Sequence, residues 1–307
     1  MVDVLAPETA TVRVDGPWTV RLRRLADVSK QVLSNPTTLV GLVIIIALLS
    51  LTVLAPVLTE PNFPNPYQMP RDWGVRDAPP GTPGHILGTT STGGDVFYGV
   101  VWGARTSLRL SLIVVGVTVT VGTIVGSLAG FIGGKLDEIL MRTVDVLLAI
   151  PELIFALAIA AVLGPSFGNI IFALSVVFWV KYARIIRGQI IHVKQNEYVD
   201  AARITGDSKL NIYRRDVLPN SVTPVMVQAT LDMGGIVLTA ATLSFIGLAE
   251  AGLVEWGVLV SDGQAGISAG KWWASTFPGL MVFLWALAFN LVGDGMRDVL
   301  DPRTEGR

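Results

Sequence analysis

An aspartate, Asp232, stands in an otherwise uncharged run, 221–246, with Gln228 one helical turn before it and Thr239 and Thr242 after it. A charged group at membrane depth costs about 2.5–3.5 kcal/mol on insertion scales, so such a side chain turns away from lipid. Two roles fit it: lining a hydrated path where it meets a cationic part of a solute, or bonding to another helix of this chain or a partner. Gln228 shares the candidate path. Asn290, in a later apolar run, reads as an interhelical hydrogen-bonding residue. No matching acid, Ser/Lys pair or HExxH accompanies Asp232, so no catalytic constellation forms. Cysteine is absent, which removes disulfides, thiolate metal sites and thiol nucleophiles. His85 and His192 are too few and too scattered for a metal cluster. The stretch 129–135 has Ala129 in place of the first glycine of a phosphate loop and Leu136 in place of its Ser/Thr, so GxxxxGK[ST] does not occur.

The elements that must position these residues are apolar spans. Of 307 residues, 51% are hydrophobic and 15% charged, well below the charge content of about 25% usual in soluble domains. With net charge −1 there is no basic field to suggest nucleic acid. A polar lead, 1–36, is followed by a first span, 37–58, too long and too far along the chain for a signal peptide. Residues 59–105 are broken by Pro and Gly and form an external loop. Further spans are expected at 108–132, 146–163, 167–187, 221–246 and 275–292, with an amphipathic approach at 135–145 and an external loop at 247–274. The fourth runs on past Lys181, Arg184 and Arg187. The expected fold is an all-α integral membrane protein with six transmembrane helices.

Six spans put both termini on one side. The segments assigned inside (1–36, 133–145, 181–220, 293–307) hold all of the 23 Lys and Arg except Arg71, Arg76, Arg105, Arg109 and Lys271. The positive-inside bias therefore predicts cytoplasmic termini, including the tail 296–307. In the second span, Gly122, Gly126, Gly130 and Gly134 recur every four residues, making a face on which another helix approaches closely. That face suits packing within this chain or a dimer interface.

The loop 188–220 has a clear local grammar. Asn196 is placed to cap a short helix reaching Ile204, with Glu197 and Asp200 at its positive end. Gly206 is placed to stop it, Ser208 to cap a second short helix, and Pro219 to separate that from the next span. Ala201 and Ala202 leave a surface poor in side chains. A free helix this short is unstable in water and must be docked.

Asp200-Ala201-Ala202, then Gly206, then Leu218-Pro219 resemble the EAA loop of ABC-importer permeases. Asp200 stands where that motif has Glu, and Asp216 where it has Ile. Other segments resemble the C-type subunits of the dipeptide/oligopeptide (nickel) importer family: Asn35-Pro36, Leu87-Gly88-Thr89, Gly93-Gly94-Asp95-Val96, Gly103-Ala104-Arg105-Thr106-Ser107-Leu108, Leu243 to Leu248, Glu255-Trp256-Gly257, Phe277-Pro278-Gly279 and Gly293 to Pro302. The family usually has Arg where Gly94 stands. The resemblance covers about residues 30–303.

It implies a type I ABC-importer permease, with residues 106–295 as its transmembrane domain and the loop as the ATPase-coupling element. It implies a homologous second permease subunit, two ATPase subunits that carry the ATP and Mg, and an external solute-binding protein, all in a prokaryotic inner membrane. This chain would itself bind no cofactor or metal and catalyse nothing. Di- and oligopeptides are the implied solutes, with oligosaccharides or nickel complexes as alternatives within the same machinery. A secondary transporter working without an ATPase predicts an inverted repeat of broken spans, and none is seen.

Overall fold

The structure, a computed structural model, describes residues 35–300. The basic lead through residue 34 and the tail from residue 301, with Asp301 and Pro302, lie outside the described residues. Eleven α-helices and one π turn are described, with isolated bridges and no strand among these residues. Five helices are long and apolar enough to cross a membrane, and a sixth crossing results if one bent pair counts as a single span.

Helix α1 (Pro36–Leu58) begins at Asn35, whose side chain accepts from the Thr37 N–H at 3.1 Å, with Pro36 in the first turn. Helix α2 (Val96–Ile132) starts on Asp95, whose carboxylate accepts from the Tyr98 N–H at 2.8 Å and also holds His85 Nδ1 at 2.6 Å. This explains the Gly93–Val96 segment. Gly93 has φ +74 and packs on the Asp72 carbonyl, while a Cβ on Gly94 would sit 2.8 Å from Met69 Cγ. A longer side chain at position 94 would therefore have to displace Met69. At about 1.5 Å per residue, 37 residues reach about 55 Å, and α2 begins twelve residues before the expected span.

Gly133 (φ +75) and Gly134 (φ +64) end α2 and let the chain turn into α3 (Gly134–Leu148). The expected third span, 146–163, is instead split. Helix α3 stops at Ala149, Pro151 restricts the residue before it, and α4 (Glu152–Leu163) leaves at 87°. Helix α5 (Phe167–Val193) runs six residues beyond its expected end at 187. Helices α6 (Glu197–Ile204), α7 (Lys209–Ile212), a π turn (Tyr213–Val217) and α8 (Leu218–Ser221) form the connecting loop. Helix α9 (Thr223–Phe245) follows. The expected loop 247–274 contains a helix not foreseen, α10 (Trp256–Ile267), too short and too rich in Gly to stand out by periodicity. Helix α11 (Trp273–Leu300) is longer at both ends than the 275–292 span.

Three of the four striped glycines lie where α2 meets α5. A Cβ on Gly122 would collide with Tyr182 Cβ, one on Gly126 with the Ala183 carbonyl and Ile186 Cγ2, and one on Gly130 would lie 3.0 Å from the Arg187 carbonyl. The stripe packs within this chain. Gly134 is not part of it, because the helix has already turned at Gly133 and a Cβ there would meet nothing.

The end of the bundle that carries the 59–95 segment and α10 is knotted by tryptophans. Trp256 Nε1 donates to the Val100 carbonyl at 3.1 Å and its ring fills the space left by Gly103. Gly257 lies on Ala241, and Thr106 Oγ1 donates to the Val254 carbonyl at 2.6 Å. Trp273 Nε1 donates to the Thr89 carbonyl at 3.0 Å beside Gly88. Glu255 caps α10 through the Val258 N–H at 3.1 Å, and its burial pushes the carboxyl up against the opposing hydrogen bonds from Gly257, Ser244 and Val258.

Gly126→Leu should therefore destabilise the bundle by at least the 1–3 kcal/mol roughly expected of overpacking. Gly116→Ala, on the same helix with open space around it, should be neutral or stabilising by up to about 1 kcal/mol. Thermal unfolding of the purified protein in detergent compares the two.

Candidate coupling loop and ion-pair ladder

The loop is fixed to the bundle by a face of apolar side chains. Val199, Ile212 and Val217 are buried in one cluster with Tyr182, Ile186, Ile190 and Val193 of α5 and Val225 of α9. Helix α6 starts after Asn196, whose side chain makes no cap bond and instead donates to the Val193 carbonyl at 3.2 Å. Glu197 and Asp200 still sit in the first turn, and Asp200 accepts from Arg203 at 2.7 Å. Gly206 ends the helix at φ +84, with its N–H on the Arg203 carbonyl and that of Asp207 on the Ala202 carbonyl. Ser208 Oγ caps α7 through the Asn211 N–H at 3.3 Å.

Pro219 does not separate the loop from the next span as expected. It lies in the first turn of α8, and the π turn before it, closed by the Leu218 N–H on the Tyr213 carbonyl, absorbs the bond that proline cannot donate. The two alanines divide. Ala202 packs toward Val199 and its cluster, while Ala201 is exposed on the outer side with Tyr198 and with Ile204, 86% of whose surface is accessible. Leu218 packs against the same cluster, and Pro219 is exposed.

Above the loop, α5 carries a descending set of cations, each meeting an acid from another helix. Arg187 binds Asp137 of α3 through both nitrogens, at 2.5 and 2.7 Å. Arg184 pairs with Asp145 of α3. Lys181 lies 3.1 Å from Glu152 of α4 and 3.6 Å from Asp232 of α9. Asp232 is 5% exposed and accepts from Gln228 Nε2 at 2.9 Å, with the Tyr182 hydroxyl beside it. The sequence named Asp232 without its partner. The signal for Lys181 was the spacing 181, 184, 187, which puts three cations along one face of a helix that is otherwise apolar there.

A cavity of about 590 Å³ opens between α5, α9 and α11 at the loop end, walled by Arg184, Gln189, Thr223, Gln228, Leu231 and Arg297. Gln228 faces it, and Asp232 lies behind Gln228 in the ion pair. Asn290 donates to the Ala286 carbonyl of its own helix, not across helices. Among the described residues no group of three His, Asp or Glu is gathered to hold a metal.

Removing one partner of a buried pair leaves an uncompensated charge, at about 3–5 kcal/mol. Here Glu152 remains near Lys181, so Asp232→Ala should cost less, about 2–4 kcal/mol by the same reasoning. The double variant Lys181→Met with Asp232→Leu should lose less than the sum of its single changes. A double-mutant cycle on thermal or denaturant unfolding measures it.

With this geometry in place, comparison with known proteins is informative. The family model described as binding-protein-dependent transport system inner membrane component matches residues 122–306. The chain is 38% identical over 305 residues to the probable D,D-dipeptide transport system permease protein DdpC of Escherichia coli (strain K12), covering 99% of each. It is 40% identical over 278 residues to the dipeptide transport system permease protein DppC of the same strain, covering 88% of this chain and 90% of that one. To the dipeptide transport system permease protein DppC of Alkalihalophilus pseudofirmus it is 36% identical over 275 residues, covering 89% and 88%. The chain belongs to this family of binding-protein-dependent inner-membrane transport components as a non-catalytic, membrane-spanning permease subunit.

Proposed function

We propose that this subunit forms half of a translocation path for dipeptides or short oligopeptides in an ATP-driven importer. The path lies between it and a homologous second permease. Solute arrives on an external binding protein, and ATP with Mg is hydrolysed on two separate ATPase subunits. The loop 188–220 and both termini face the cytoplasm. The relatives named for dipeptides support the solute class. The observation that carries the mechanism is the division of α6 into a buried face, Val199 and Ala202, and a bare outer face, Ala201 and Ile204. A surface with small and exposed apolar side chains, held firmly to α5 and α9, suits a groove on an ATPase: movement of the ATPase reaches the spans through the shared cluster. Gln228, Thr223, Arg184 and Arg297 wall the cytoplasmic vestibule of the path, and Asp232 holds Gln228 in place while balancing Lys181.

The complex reconstituted with its binding protein and ATPases should take up a dipeptide on addition of ATP. Ala201→Glu, which points away from the bundle, should cut uptake by at least about tenfold, the effect of removing roughly 1.4 kcal/mol from docking, while the protein still inserts and unfolds at the wild-type temperature. Wild-type uptake in that variant would refute the coupling role. A nickel complex or an oligosaccharide carried in place of the dipeptide would overturn the solute class alone.

Because the chain has no cysteine, single-cysteine variants report orientation directly. Ser208→Cys should react with an impermeant maleimide only from the cytoplasmic side, and Thr82→Cys only from outside; the reverse pattern would invert the topology.

A further inference from the structure

Two recesses meet at the loop end of α2. The first, of about 400 Å³, is almost wholly apolar and is lined by Ile124, Leu128 and Ile132 of α2 with Phe131, Leu210 and Tyr213. The second, of about 520 Å³, shares Phe131, Ile132 and Lys209 with the first and adds Lys194, Arg203 and Asp207. Ile124, Leu128 and Ile132 follow one another at four-residue steps on the face opposite Gly122, Gly126 and Gly130, and are 56%, 45% and 61% exposed. The groove therefore runs along the outside of the bundle and ends in positive charge where α2 ends.

The charges there are not balanced. Asp207 is tied into its own turn, its carboxylate accepting from the Ser208 N–H at 3.2 Å and from Asn211 at 2.6 Å. Arg203 shares Asp200 through one nitrogen, and both are largely exposed. Lys194 Nζ turns inward to the Gly130 and Phe131 carbonyls at 3.1 and 2.9 Å, capping α2. Its pKa is lowered by burial first and then by the charge of Arg203, while Asp137, already paired with Arg187, acts in the opposite direction. Lys209 links the two recesses.

We propose that this double recess binds an anionic phospholipid, with its phosphate among Lys209, Arg203 and Lys194 and one acyl chain along Ile124, Leu128 and Ile132. An apolar trough with a cluster of cations at one end matches an amphiphile whose charge is also at one end. The bound lipid bridges the end of α2 to Lys209 and Leu210 of the loop, and so tunes how firmly the loop is seated. Only the leaflet involved depends on the orientation proposed above; the site itself does not.

The test is a titration of the purified complex followed by native mass spectrometry, with phosphatidylglycerol, phosphatidylcholine and inorganic phosphate as separate arms. The wild type should retain phosphatidylglycerol in preference to phosphatidylcholine, and inorganic phosphate should not displace it. At roughly 1 kcal/mol per basic residue near an anionic lipid, Lys209→Gln should weaken phosphatidylglycerol about fivefold. Leu128→Trp, which fills the trough without touching the charge, should also weaken it, and unchanged unfolding temperatures show that both variants are folded. Equal retention of the two lipids, an unaltered affinity in Lys209→Gln, or displacement by inorganic phosphate would each overturn the proposal. So would a photo-cross-linker in place of Leu128 that captures the second permease and no lipid. None of these readouts involves uptake, so failure here leaves the importer reading standing, and failure of dipeptide uptake leaves the lipid site standing.

Discussion

The approach of α2 to α5 at Gly122, Gly126 and Gly130 is the contact on which the other arrangements rest. Between spans, lipid offers no hydrophobic gain for association, so close van der Waals contact and polar bonds must supply it. Three positions without a Cβ let α2 settle against the backbone at Ala183 and Arg187, and that fixes both the rotation and the height of α5. With α5 fixed, Lys181, Arg184 and Arg187 can face the acids of α3, α4 and α9. Turned by about 100°, the angle of one residue along a helix, the same three cations would face lipid or the glycine seam.

The ion pairs then add to the apolar packing of α3 and α4, whose Val144 and Ala156 are buried against α5. Helix α4 has twelve residues, too few to cross a bilayer alone, and α3 is amphipathic. Asp137, Asp145 and Glu152 add polar contacts with α5 to that packing. Surface pairs of this kind are individually weak, about 0–1 kcal/mol. The bidentate Arg187–Asp137 pair at the start of α3 is favoured further by the positive end of that helix. Asp232 belongs to the same set, which is why a carboxylate at depth is tolerated in α9.

Hydropathy made the spans legible, because an uncharged run of twenty residues has few other uses. It could not place the break at Pro151, since α3 and α4 alternate in polarity at the boundary and a bent pair reads like one shifted span. It also overlooked α10, which is held by Trp256 and the Glu255 cap and has no apolar stripe of its own. The loop was readable in its stops and starts because Gly206 and Ser208 act on their own backbone neighbours. What sequence could not give was the division between Ala201 and Ala202, adjacent residues about 100° apart on a helix whose docking face is chosen by Val199. The same limit applies to Asp232: a lone acid announces that a partner exists, and only the fold shows that it is Lys181.

Tyr182, Ile186, Ile190 and Val193 sit in the cluster that seats α6, and the same helix carries Lys181 at its next turn up. Helix α6 is therefore joined to α5 along a continuous apolar face, and to α9 through Val225 and Val217. Helix α9 holds Asp232 and Gln228, and Gln228 walls the cavity. The loop and the cavity wall are thus joined through packed helices. The π turn at Tyr213–Val217 shifts the helical register between α7 and α8, and Val217, fully buried there, keeps that turn seated in the cluster.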